Sequence, residues 1–187
     1  MKNELLKSIK TDSLMEIYKD IEDMDTFIVA KVLKVTDNYA IIVKVSATGM
    51  YDGFHLIEIE DIYQINTGSK YIRNIEKLYA AKNQKHLEFD GEHENLMVSI
   101  LKFAQKNNFV VSVELFKDGD VQGFIKDISE DILVISILTN DGEPDGEAIV
   151  KLEDITSISC NHEDAVCLKI LYSYIETGDI WKNKPLY

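Results

Sequence analysis

The side chains with most chemical promise lie near the end of the sequence. Cys160, His162 and Cys167 offer two thiols and an imidazole, the donors zinc prefers. Structural zinc takes a full tetrahedral set built on closely spaced cysteine pairs; these cysteines are seven residues apart with no fourth donor evident. A buried cysteine explains Cys160 more simply. The loop Asn140 to Glu147 crowds oxygen donors of the kind calcium takes, but lacks the spacing and terminal bidentate glutamate of a calcium loop. The cluster Asp20, Glu22, Asp23 and Asp25 reads as a solvated turn. Glu60-Asp61 and Glu153-Asp154 are carboxylate pairs, yet adjacent residues in a corner point apart, so they read as local caps. Asp52-Gly53 and Asp145-Gly146 read as turns. His55, His86 and His93 stand singly, and there is no phosphate loop, nucleophile elbow or HExxH motif. The chain is therefore expected to be non-catalytic, with no metal and no cofactor.

What positions these residues is an internal repeat. From Ala30/Gly123 to Tyr79/Tyr172 the sequence aligns with itself at an offset of 93, with ten of 50 positions identical. Gly49/Gly142, Asp52/Asp145, Gly53/Gly146 and Glu60-Asp61-Ile62/Glu153-Asp154-Ile155 are among them. Such self-similarity signals a duplicated unit.

Within each unit, hydrophobic spacing predicts the elements. Residues 3–10 read as a helix, and 13–21, 27–35, 39–45, 54–59 and 62–65 as strands, with Asp37-Asn38 as a hairpin turn. Ser69 caps a predicted helix over 69–82. The cycle repeats as a helix over 94–107, strands over 109–116, 121–128, 132–138, 148–152 and 156–160, and a helix over 163–175. The expected organisation is a first unit over 1–82, a linker over 83–93, a second unit over 94–175, and a tail over 176–187 that holds Trp181 and Pro185.

A helix, five short strands and a closing helix, with the runs Tyr51-Asp52-Gly53-Phe54, Glu60-Asp61-Ile62-Tyr63 and Lys70-Tyr71-Ile72, resemble an Sm-like or SH3-like barrel. The same runs are similar to an uncharacterised bacterial family of tandem small β-barrel proteins. The resemblance implies an α+β, mainly β fold of two tandem five-stranded barrels, each flanked by helices. It implies no particular activity.

The units differ in a telling way. Where the first has Tyr39, Tyr51, Phe54, Tyr63 and Tyr71, the second has Ile132, Pro144, Glu147, Thr156 and Asp164. Phe54 and Leu56 alternate with His55 and Ile57 and are assigned to the outer face of their strand. Arg73 and Lys77 fall on the following helix. Tyr51, Phe54, Tyr63, Tyr71, Arg73 and Lys77 thus form a candidate interaction surface. Aromatic residues interleaved with cations bind peptides or stack on single-stranded RNA; the same aromatics can also seal two units together.

Charge weighs against RNA. Residues 1–85 hold 12 basic and 13 acidic side chains, whereas residues 86–187 hold 8 and 20. The second unit repels phosphate backbones, so RNA binding through the first is the alternative, behind a protein partner or self-association. The first residues lack the apolar core of a signal peptide, no run is long enough to span a bilayer, and two cysteines give no disulfide framework. A cytoplasmic protein without a membrane partner is expected.

Overall fold

A computed structural model describes residues 1–19, 26–91, 94–116 and 119–177. The acidic cluster at 20–25, His93, Lys117, Asp118 and residues 178–187 with Trp181 lie outside the described residues. The first unit comprises α1 (Lys2–Thr11), β1 (Leu14–Tyr18), β2 (Ile28–Val35), β3 (Tyr39–Val45), β4 (Tyr51–Glu58), β5 (Gln64–Thr67) and α2 (Lys70–Ala81). The second comprises α3 (Leu96–Lys106), β6 (Val110–Leu115), β7 (Gly119–Ile128), β8 (Ile132–Leu138), β9 (Pro144–Lys151), a 3-10 turn (Leu152–Asp154), β10 (Ile155–Cys160) and α4 (Glu163–Thr177). Among the described residues no helix is long and apolar enough to cross a membrane.

The duplication is visible in the backbone. Strand order is β5-β1-β2-β3-β4 in the first unit and β10-β6-β7-β8-β9 in the second, antiparallel throughout. Register shifts between Val32/Lys34 and Val43/Val45 recur one period later between Ile125/Asp127 and Ser136/Leu138. These bulges bend the strands at matching places. Gly49 lies against Leu78 and Tyr79 of α2, and Gly142 against Leu171 and Tyr172 of α4. Ahead of β2 the offset changes: Met15 pairs with Ala30 as Val111 pairs with Gly123, a shift of 96, so the first hairpin is three residues longer.

Two closed barrels do not form. β4 pairs with β10 (Leu56 opposite Ile158, His55 opposite Ser159, Phe54 opposite Cys160), and the two units merge into one open ten-stranded antiparallel sheet. The mainly β character with four α-helices stands; the pair of closed five-stranded barrels is corrected. The cause lies in β3 and β4, which are buried on both faces. Ala40, Ile42 and Ile57 point into a core with Leu5 of α1, Met15 and Ile17. Ile41, Val43, Phe54 and Leu56 point into a second core with Ile100, Leu101 and Phe103 of α3 and Val111, Val113 and Ile158 of the second unit. The face assigned to solvent is therefore covered by α3. Burying side chains such as Phe54 and Leu56 contributes about 1.5–3 kcal/mol each, far more than leaving that face wet.

The segment 83–91 crosses this joint without regular structure. Phe89 stacks 4.8 Å from Phe103, Gln84 accepts a hydrogen bond from the Tyr51 amide at 3.0 Å, and Lys34 donates to the Gly91 carbonyl at 2.7 Å.

Candidate interaction surface

The structure divides the predicted surface into two places. Tyr51 and Phe54 belong to the joint. Phe54 is fully buried, its ring 4.8 Å from Phe103 and 5.9 Å from Tyr51. The Tyr51 hydroxyl accepts a hydrogen bond from Asn161 at 3.0 Å, and burial pushes its phenol up. Asp52 and Gly53 are not in a turn but inside β4. The Asp52 carboxylate accepts from the Glu163 amide at the start of α4 (3.2 Å) and pairs with Lys44 (3.2 Å). Likewise Asp145 and Gly146 lie within β9.

Two histidines face each other across the joint, His55 and His162, with rings 6.3 Å apart. His55 hydrogen-bonds the Asp52 carbonyl at 3.1 Å, and His162 the Ser112 hydroxyl at 3.1 Å. Burial pushes the His55 imidazole down to about 4, helped by Lys44 and by His162; burial lowers His162 as well. A histidine depressed in the folded state adds stability above its unfolded value and loses it as pH falls toward the folded one. Between pH 6.5 and 4 the unfolding free energy is expected to drop by about 2–3 kcal/mol through His55. His55→Gln should flatten most of that slope in denaturant titrations run at each pH; an unchanged slope would contradict the assignment.

Tyr63 and Tyr71 lie elsewhere, beside the terminal strand β5. Both are about two-fifths exposed, at 37% and 40%. Phe27 packs edge-on against Tyr71 at 5.5 Å, Tyr18 lies 5.2 Å from Phe27, and Tyr63 lies 6.1 Å from Tyr18. Arg73 and Lys77 are exposed on α2, and Arg73 donates to the Gly68 carbonyl. The Ser69 cap is as expected, its hydroxyl accepting from the Ile72 amide at 3.0 Å.

Beneath this corner sits a residue that hydrophobic patterning does not single out. Glu16, only 4% exposed, accepts hydrogen bonds from Ser69, from Asn66 (2.8 Å) and, more loosely, from Tyr18 (3.4 Å). Ser69 and Asn66 compensate the carboxylate while locking β5 to β1 and to the start of α2. The corner is thus a pre-organised edge: a short strand, an aromatic cluster and exposed cations. Tyr18 and Phe27, flanking the acidic run, were the available signal for it.

The remaining candidates do not converge. Cys160 is buried in the core and Cys167 is exposed on α4. Among the described residues no three His, Cys, Asp or Glu side chains gather as a metal set. Glu60-Asp61 forms a turn after β4, and Glu153-Asp154 belongs to the 3-10 turn. A cleft of about 630 Å³ brings Glu130, Asp131 and Glu153 near Lys151, lined also by Tyr39, Asn95 and Met97, with no histidine or thiol. Compared with known proteins, the chain matches no family model, no curated protein and no solved structure.

Proposed function

We propose that the chain is a non-catalytic module for protein interaction or self-assembly, working through the corner of β5 and α2. The observation that carries this is the terminal position of β5 in the sheet, with Tyr63, Tyr71, Lys70 and Arg73 exposed beside it. An edge strand offers its backbone to an incoming strand, and neighbouring aromatic and cationic side chains select which strand docks. The two thiols are unpaired, in keeping with a module that works in the reducing cytoplasm.

The test is affinity capture with the full chain, followed by rebinding of each captured protein in purified form. Tyr63→Glu combined with Tyr71→Glu should cost at least tenfold in affinity. Partners that rebind both forms equally would overturn the proposal. So would a low-salt gel shift with single-stranded RNA abolished by Arg73→Ala and Lys77→Ala, the signature of phosphate contacts.

A further inference from the structure

The same joint that holds the two units together is prepared a second time at the ends of the sheet. Within the chain, the fourth strand of one unit, β4, pairs with the fifth strand of the other, β10. The terminal strands of the sheet are β9 and β5, again the fourth strand of one unit and the fifth strand of the other. We infer that the chain assembles head to tail, β9 of one copy pairing with β5 of the next in the register used by β4 and β10. This rests on reading the β5 corner as a binding surface, and names its partner as a second copy.

The 93-residue period fixes the pairing. Leu56 opposite Ile158 becomes Ile149 opposite Ile65, and Phe54 opposite Cys160 becomes Glu147 opposite Thr67. Leu56 is 3% exposed in its joint, whereas Ile149 stands 69% exposed on the edge of the sheet. An isoleucine so placed on a terminal strand is an association site unless it is covered.

A second observation concerns backbone shape. Gly53 sits at φ 80°, where an added Cβ would meet the His162 amide nitrogen at 2.6 Å and the Cys160 carbonyl at 2.7 Å. Gly146 keeps the same shape at φ 76°, yet nothing lies within 4 Å of the corresponding point. The groups that would fill it, one period back from Cys160 and His162, are Thr67 and Ser69 of another copy.

Charge supplies the third. Asp52 caps the α4 amide of Glu163; its counterpart Asp145 would meet the α2 amide of Lys70. Around Asp145 stand Glu143 and Glu147, and around Lys70 stand Arg73 and Lys77, all exposed. Even with Lys151 on β9, Glu76 on α2 and Glu147 paired to Lys126, carboxylates predominate around Asp145 and cations around Lys70, which favours this pairing over β9 with β9 or β5 with β5.

The outer joint is the weaker one. Glu147 stands in for Phe54, and α1, packed on β2 as α3 is on β7, presents Glu4 and Lys7, paired at 2.6 Å, instead of a greasy cover. Association is therefore reversible and grows with concentration. Being heterologous, it builds a ring where the rotation closes and a filament where it does not.

Sedimentation of the full chain over a concentration series tests this. Species of at least twice the monomer mass should grow with concentration and retreat at high salt. Ile149→Lys, which blocks β9, and Lys70→Glu with Arg73→Glu, which blocks β5, should each remain monomeric with unchanged circular dichroism. Mixed, they should form a 1:1 heterodimer and nothing larger. A wild-type chain that stays monomeric throughout, or variants that assemble alone as the wild type does, would overturn the inference. A monomer that still captures other proteins through Tyr63 and Tyr71 would overturn it too, while leaving the interaction module intact.

Discussion

Replacing Phe54 with alanine is expected to lower the unfolding free energy by about 3–5 kcal/mol, measured by denaturant titration. Phe54 is fully buried where β3, β4, β10 and α3 meet, with Phe103, Phe89 and Tyr51 around it. Truncation removes its transfer free energy and leaves a cavity against helix and sheet, neither of which can collapse freely. Glu147→Ala provides the control, because it stands one period away on exposed β9. That change should move stability by no more than about 0.5 kcal/mol. Similar losses at both positions would mean that Phe54 does not fill the joint.

Gly53→Val should be at least as damaging, by a different route. The residue sits at positive φ, which a β-branched side chain enters only under strain of about 1–3 kcal/mol. The new Cβ would also overlap the backbone of Cys160 and His162 at 2.6–2.7 Å, so β4 and β10 would have to separate. A total loss above about 4 kcal/mol is expected, in the range reserved for specific structural damage. Gly146→Val carries the same backbone strain with open space beyond it, so in dilute solution it should show only the first of these costs. The difference between the two variants isolates the close approach of the units. Equal losses would show that the approach contributes nothing.

The elements of this fold were legible because their signals are local. Ser69 before an apolar stripe, Asp37-Asn38 between β-branched runs, and a helical spacing at Leu96, Ile100, Leu101 and Ala104 each declare structure within a few residues. The joint was not legible from alternation. Leu56 and Ile158 are 102 residues apart, and both faces of β4 are apolar because each is covered by a different part of the chain. Period-two patterning tells the two faces of a strand apart; it does not tell what covers them. The pertinent clue was the contrast between the copies at Phe54 and Glu147, aromatic in one and charged in the other. It reads most directly as one strand enclosed and its counterpart left at an edge. Glu16 was beyond reach for another reason: its carboxylate is compensated by Asn66 and Ser69, some fifty residues on, and nothing in the local sequence of β1 marks it as buried.

Everything here depends on β4 and β10 being hydrogen-bonded neighbours at the centre of one sheet. Native-state amide exchange resolved to single residues measures this directly. The amides that pair across Phe54 to Leu56 and Ile158 to Cys160 should be protected to the level of β3 and β8, opening only with the whole molecule. Fast exchange along β4 and β10 while β3 and β8 remain protected would contradict it, and would return the chain to two separate units.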